Sequence, residues 1–192
     1  MKRKNNMTKY YKHPKYGITY ADKPFVSPPV RLCWPYLTKP KDPPPPAPGQ
    51  QPGMPSYEVT LLFPKDSKAH IDWLVMVKAK LNDMLKTFNQ GRDIEISKVS
   101  PAKDGDDAKW DKEKYPYYKG QYIVVARSTK LPTFATAKRE PADPAIFIGG
   151  VLVSCVLTPK ICASGVIMVC SISLSILYNV LVGLPPLVHL CI

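Results

Sequence analysis

Aromatic and basic side chains stand next to each other at several points before residue 144. The densest stretch is "KWDKEKYPYYKGQY" at 109–122, and "RLCWPYLTKPK" at 31–41 repeats the mixture. Flat rings can stack on the bases of an unpaired nucleic-acid strand, while lysine and arginine neutralise its phosphates. Neither interaction depends on the base sequence. The pattern predicts a surface for single-stranded nucleic acid, although for any single ring the alternative is packing in the core or in a turn.

The candidate residues fall into two groups, according to the part of a nucleotide that each would contact. The rings expected to stack on bases are Trp34, Tyr36, Trp110, Tyr115, Tyr117, Tyr118 and Tyr122. The cations expected to contact phosphates are Arg31, Lys39, Lys41, Lys119, Arg127 and Lys130. Trp73 is left out, because the helix predicted around it is expected to bury its ring.

The charge balance agrees with a polyanionic partner. The chain has 27 Lys and Arg against 15 Asp and Glu, which gives a net charge of +12. The charges are unevenly placed, since Lys160 is the only charged side chain in 144–192. Such an excess of positive charge favours nucleic acid or an anionic membrane surface as the partner.

No group of residues has the spacing of a catalytic or metal site. The acidic run "DGDD" at 104–107 lacks the glutamate that would close a calcium loop, so a solvated turn is expected there. The three histidines are scattered, and no phosphate-binding glycine motif is present. We therefore expect no enzymatic activity, metal, cofactor or small-molecule substrate. A nuclease that uses the acidic run is the alternative in the enzyme class.

The elements that must position these residues are mainly strands. Alternating and apolar runs predict strands at 30–37, 56–63 and 120–129, and a short strand or extended connection at 93–99. Pro35 is expected to place the first strand at a sheet edge or to end it. In the strand at 120–129, alternation puts Tyr122, Val124 and Ala126 on one face and Ile123, Val125 and Arg127 on the other.

One helix is predicted at 69–88, capped by Asp66 or Ser67. Its apolar residues recur near the helical period, and those expected to face the core are Ile71, Leu74, Val75, Leu81, Leu85 and Phe88. The remaining segments are expected to be irregular: a flexible basic arm at 1–27, a proline-rich loop at 40–55, a loop at 131–144 and a short tail at 187–192.

The nearly uncharged segment 144–192 allows three interpretations. Residues 164–182 are long enough to span a bilayer, which would make the chain a membrane-anchored basic protein. The alternation in "CSISLSI" and the excess of Ile and Val over Leu favour buried strands instead. The third interpretation is a reading-frame change. The chain shows no signal-peptide pattern, and its five cysteines are odd in number and include no C-x-x-C pair. These features predict reduced thiols and a cytoplasmic location.

The order of these segments resembles a phage single-stranded-DNA-binding family, long catalogued as a phage domain of unknown function. The resemblance rests on "YEVTLLFPKDSK" before the helix and on "KDGD" followed by "YKGQYIVVA", and it covers 28–186. It implies an OB-like β-barrel elaborated by a helix, an α+β domain that is mainly β. It also implies that 103–107 is a turn, that 118–126 is the loop and strand after it, and that Gly120 permits a close backbone approach.

The function implied by the resemblance is coating of single-stranded DNA during phage replication and recombination, in the host cytoplasm. Single-stranded DNA is then the main partner, and phage replication or recombination proteins are further partners. Self-association is left open. Near the end of the chain, only Leu177, Asn179 and Val180 match the family's final turn.

Overall fold

A computed structural model of the chain describes residues 10–12, 19–21, 24–46, 48–49, 52–88, 100, 102–162, 165–170 and 173–176. These residues form a 12-stranded sheet and one α-helix, α1 (Lys68–Phe88). The strands, in chain order, are β1 (Tyr10–Lys12), β2 (Thr19–Ala21), β3 (Phe25–Val26), β4 (Val30–Lys41), β5 (Ser56–Pro64), β6 (Lys103–Asp104), β7 (Gln121–Ser128), β8 (Thr133–Thr136), β9 (Leu152–Ser154), β10 (Val156–Cys162), β11 (Gly165–Cys170) and β12 (Ser173–Ile176).

The strands follow one open path. The order is β1-β2-β10-β11-β7-β5-β4-β9-β12-β8, with β3 beside β10 and β6 beside β7. Since this path has two ends within the described residues, the sheet is not closed into a barrel there. The prediction of a mainly β chain with one packed helix is confirmed.

The helix shares a core with one face of the central strands β4, β5 and β7. Alternate residues of β5 and β7, such as Leu61, Phe63 and Val124, enter a large apolar core together with Trp73 and Leu81 of α1. The Trp73 ring stacks on Phe63 at 5.1 Å between centroids. Full burial of side chains of this size stabilises the fold by about 1.5–3 kcal/mol each.

The predicted helix is confirmed, and so is the expected burial of Trp73, Leu74 and Leu81, but two residues that were expected to face the core are exposed. Trp73 is 8% exposed, and its indole Nε1 donates to the carbonyl of Val26 at 2.7 Å. Val77 and Met84 are also buried, whereas Ile71 and Val75, which were expected to face the core, are 37% and 62% exposed. The large ring of Trp73 takes the place nearest the sheet, and this turns the other two side chains outward. The side chains of residues 85–88 lie outside the described part.

Strand β4 runs past the proline that was expected to limit it. Its pairing with β5 shifts register between Cys33 and Tyr36, and Trp34 adopts a φ of 48° in this bulge. Strand β9 pairs with β4 only at Val30 and Arg31, so Pro35 lies where β4 has one described neighbour. The missing N–H of proline is tolerated there. The strand therefore continues through Pro35 instead of ending at it.

Both ends of the chain contribute to the sheet. Within the segment predicted as a flexible arm, β1 pairs with β2, while β2 and β3 pair with β10. The predicted loop at 131–144 contains β8, which pairs in parallel with β12. The other residues up to 23, the predicted strand at 93–99, and Leu177, Asn179 and Val180 lie outside the described residues.

The described part of the C-terminal segment contains four strands, as one of the three interpretations predicts. Strands β9, β10, β11 and β12 all belong to the sheet. The predicted membrane span at 164–182 is wrong for its described part, because residues 165–170 and 173–176 are paired strands. The described part of the chain contains no helix with both the length and the apolar character needed to cross a bilayer.

Candidate nucleic-acid interface

The face of β4, β5 and β7 that points away from α1, called the open face below, carries several of the predicted site residues. Antiparallel pairing puts Arg31 opposite Leu62, and Leu62 opposite Ile123. It also puts Tyr36 opposite Glu58, and Glu58 opposite Arg127. Directly paired residues share a face, so the alternation predicted for β7 is confirmed. The open face joins Arg31, Tyr36 and Arg127 to an apolar patch.

Five rings form an aromatic cluster on this apolar patch. The cluster packs on Cys33, Leu62 and Ile123, and its members are Trp34, Trp110, Tyr115, Tyr117 and Tyr118. Most of its rings meet edge to face, a favourable geometry for aromatic pairs. Trp110 and Tyr117 each contact Tyr118 in this way, with centroids 5.0 Å apart. The structure thus brings together five of the seven rings predicted to stack on bases.

Tyr118 is the interior member of the aromatic cluster. It is 5% exposed, and Tyr115 stacks on it at 5.0 Å with an interplanar angle of 7°. With one face covered in this way and its edges in contact with Trp110 and Tyr117, the ring supports its neighbours. Tyr118 therefore has the position of a packing residue and exposes little ring surface for the stacking expected from the sequence. The other four rings of the cluster are partly exposed.

A hydrogen bond ties the bulge of β4 to the aromatic cluster. The indole Nε1 of Trp34 donates to the Tyr117 hydroxyl, which comes from a 3₁₀ turn at Pro116–Tyr118. Burial raises the pKa of Tyr117 above its ordinary value. The positive φ of Trp34 is uncommon for a bulky residue. This strained conformation orients the indole toward the cluster.

The acidic run holds the aromatic cluster in place. Lys65, at the end of β5, contacts Asp104 at 2.5 Å and Asp106 at 2.7 Å, an arrangement called the Lys65 clasp below. These contacts lower the pKa values of both carboxyl groups, with Lys65 as the largest cause, and raise the pKa of Lys65. The Asp104 carbonyl accepts the indole N–H of Trp110 at 2.7 Å. The acids therefore have a structural role beside the rings.

Two glycines complete this connection. The backbone N–H of Gly105 donates to the carbonyl of Gln121 at 2.9 Å, and a Cβ on Gly105 would lie 2.0 Å from the carbonyl oxygen of Tyr118. Gly120 has a φ of 69°, and its N–H donates to Asp106 at 2.9 Å. A Cβ on Gly120 would have no heavy atom within 4 Å. The close backbone approach expected at Gly120 occurs at Gly105, whereas Gly120 provides the left-handed conformation.

The predicted cations occupy different surroundings. Arg31 donates to the Gly150 carbonyl at 3.1 Å. Glu58 accepts from Arg127 at 2.6 Å and from Lys41 at 3.2 Å. The Lys41 ammonium also lies 5.3 Å from the centre of the Tyr36 ring. The remaining predicted cations are exposed: Lys39, Lys119 and Lys130.

Tyr122 lies apart from the other predicted rings. It is opposite Phe63 in register and packs against the core on the α1 side. Lys65 lies 5.1 Å from the centre of its ring. The same alternation that puts Arg127 on the open face puts Tyr122 on the other face, so the structure does not bring Tyr122 into the aromatic cluster.

The sequence pattern missed several polar residues near the rings. Lys103 and Lys109 lie 5.8 and 5.6 Å from the Trp110 ring, and Lys114 lies 5.5 Å from the Tyr115 ring. These lysines belong to the mixed stretch itself, which could have pointed to them. Glu58 was also missed, and only the pairing of β5 with β7 places it beside Arg127. Over the described residues, no three His, Cys, Asp or Glu side chains are grouped as metal ligands.

The chain shares its fold with a phage single-stranded-DNA-binding protein, and this confirms the resemblance at the level of the fold. The chain is similar to the single-stranded DNA-binding protein from bacteriophage Enc34 in complex with ssDNA, with a TM-score of 0.58, 23% identity, and coverage of 89% of this chain and 95% of that one. The chain is also similar to a C-terminal truncation of the Enc34 protein, with a TM-score of 0.59 and 23% identity. That match covers 89% of this chain and 94% of the truncated Enc34 protein. No model of a protein family and no curated protein matches the sequence.

Proposed function

We propose that the chain binds single-stranded DNA without marked sequence preference and coats it during phage replication and recombination. The observation that carries this proposal is the open face, where cations and partly exposed rings lie together on the side of the sheet opposite α1. The Enc34 protein, whose fold the chain shares, has been solved in complex with ssDNA. An OB-like curvature of the sheet and a DNA-binding domain over 28–186 belong to the same proposal.

In this proposal the open face and the aromatic cluster divide the work between phosphates and bases. Arg31, Lys41 and Arg127 attract the backbone, a sequence-independent interaction that weakens with salt. Tyr36, which is 40% exposed, and the four partly exposed rings of the cluster offer surfaces for stacking. Stacking contributes about 1–3 kcal/mol per base and tolerates every base. Tyr118 and the Lys65 clasp keep these rings in position.

The proposal is tested by titrating a fluorescent oligo-dT across a salt series. We expect tight binding at low salt, with a logarithmic salt slope of about −0.7 for each phosphate contacted. A duplex of the same length should bind more weakly. Absence of oligo-dT binding at low salt, or an equal affinity for duplex, would overturn the proposal.

Two variants test the location of the interface. Tyr36→Ala should weaken oligo-dT binding by about 5-fold to 100-fold, because one stacking surface is lost. Lys68→Gln is the matched control, since this exposed lysine on α1 pairs with Asp72 on the far side of the sheet. An equal loss in both variants would place the interface elsewhere.

The proposed activity is binding without cleavage. The acids that suggest a nuclease are held by lysines: Asp104 and Asp106 contact Lys65, and Asp107 contacts Lys109. Labelled single-stranded DNA should therefore remain intact when it is incubated with the protein and magnesium or manganese. Metal-dependent cleavage by the purified protein would contradict this part of the proposal.

A further inference from the structure

A carboxylate lies between two of the cations on the open face. The two oxygens of Glu58 have different hydrogen-bond donors. Oε2 accepts from Arg127, and Oε1 accepts from Lys41. The Glu58 side chain is 13% exposed, whereas Arg127 and Lys41 are 56% and 47% exposed. Within β4, β5 and β7, all of whose residues the structure describes, Glu58 is the only acidic residue. An otherwise basic face thus contains one anion, held beneath two cations.

We propose that Lys41 and Arg127 form a single phosphate-binding subsite, and that Glu58 occupies this subsite in the free protein as a tethered substitute for phosphate. This inference rests on the proposed function and adds a regulation of the same site. Carboxylate and phosphate oxygens both accept charge-assisted hydrogen bonds from guanidinium and ammonium groups. The two oxygens of Glu58 divide these donors as two oxygens of one phosphate would.

The neighbouring ring makes the subsite fit a nucleotide. Tyr36 lies directly opposite Glu58 in register, and its ring lies under the Lys41 ammonium at 5.3 Å. A phosphate held by Lys41 and Arg127 would therefore place an adjacent base within reach of a partly exposed ring. The subsite takes one nucleotide unit of a single strand, with the phosphate on the cations and the base on Tyr36.

The tethered carboxylate lowers the affinity for DNA and reduces its salt dependence. Both cations are more exposed than Glu58, so they can turn toward a phosphate while the carboxylate stays in the sheet. The incoming phosphate then meets a fixed negative charge. In addition, cations that are already paired with a carboxylate of the protein release fewer counterions from the DNA when they bind it, so the affinity depends less on salt. Without the carboxylate, attraction to the phosphate is stronger and more sensitive to salt.

The substitution that tests this inference is Glu58→Gln, which keeps the shape of the side chain and an acceptor oxygen while removing its charge. We expect its dissociation constant for fluorescent oligo-dT to fall by about threefold to tenfold at low salt. The salt slope should steepen by less than about 0.7, the value for one full phosphate contact. Asp72→Asn is the matched control, since it removes one negative charge from an exposed ion pair on α1. It should change the dissociation constant by less than about twofold.

The outcomes separate this inference from the proposed function. If the wild type binds oligo-dT and Glu58→Gln binds it equally or more weakly, the inference fails while the function stands. An equal gain in Asp72→Asn also overturns the inference, because net charge then explains the effect. If neither the wild type nor Glu58→Gln binds at low salt, both proposals fail.

A second measurement does not depend on the folding of Glu58→Gln. If Lys41 and Arg127 hold the same phosphate, Lys41→Gln combined with Arg127→Gln should flatten the salt slope by no more than about 0.7, because only one phosphate contact is lost. Two separate phosphate contacts would instead flatten the slope by about 1.4 in the double variant. That additive result would overturn the single subsite.

Discussion

Replacing Gly105 with alanine should destabilise the fold through a collision with the backbone. The new Cβ would lie 2.0 Å from the carbonyl oxygen of Tyr118 and 2.7 Å from that of Gln121. Both are backbone atoms, which cannot move aside as the end of a flexible side chain can. Since Cβ contacts below about 3 Å are avoided in proteins, the acidic run must move away from β7. The hydrogen bond from Gly105 to Gln121 would then be lost.

The expected cost follows from the contacts that such a movement breaks. The backbone hydrogen bond of Gly105 and the bond from the Trp110 indole to the Asp104 carbonyl each contribute about 1 kcal/mol. Residual overlap adds about 1–3 kcal/mol, as overpacking does in cores. We therefore expect a loss of about 3–5 kcal/mol in the free energy of unfolding. For a chain of this length, that lowers the melting temperature by about 6–20 °C.

Thermal unfolding followed by circular dichroism measures this loss, and Gly120→Ala provides the comparison. Gly120 has a φ of 69° and open space around it, so alanine there strains the backbone without a collision. This strain should lower the free energy of unfolding by about 1–2 kcal/mol. Gly105→Ala should therefore melt below Gly120→Ala. If Gly105→Ala melts within about 2 °C of the wild type, the backbone approach is looser than the structure has it, and the reasoning is refuted.

Three further predictions concern the support of the rings. The fold lowers the pKa values of Asp104 and Asp106 from their ordinary value of 3.8. The Lys65 clasp therefore stabilises the fold at pH values above 3.8, and this stabilisation is lost as the pH falls below that value. Near-UV circular dichroism should show the rings loosening in that acid range, and Asp106→Asn should weaken this acid response. Tyr118→Ala should lower the free energy of unfolding by about 3–5 kcal/mol in a denaturant titration, since it leaves a cavity under the aromatic cluster. Tyr36 is exposed, so the free energy of unfolding of Tyr36→Ala should stay within about 0.5 kcal/mol of the wild-type value. Trp34→Phe keeps a ring but loses the bond to Tyr117, so its stability should fall by about 1 kcal/mol, and an unchanged melting curve would contradict that bond.

Local patterns in the sequence were sufficient to predict β4, β5, β7 and the alternation of β7, but not β1, β2, β3 or β8. The apolar run at 56–63 became β5, and Arg127 lies on the face opposite Val124, as a period of two residues requires. The helix was also predictable, because a period near 3.6 identifies it without knowledge of its partner. The burial of Trp73 was predicted as well, whereas the exposure of Ile71 and Val75 was not, since the packing of α1 against the sheet decides it.

The sequence by itself determined the chemistry that is available: an excess of cations, rings interleaved with lysines, and strands that alternate between two faces. Only the tertiary structure decided which of these residues meet. Glu58 and Arg127 are 69 positions apart in the chain, and Lys65 and Asp104 are 39 apart. The register of strand pairs so distant along the chain depends on the packing of the whole sheet and not on local preference. The same packing buries Tyr118 and leaves Tyr36 exposed, although both are tyrosines within basic stretches.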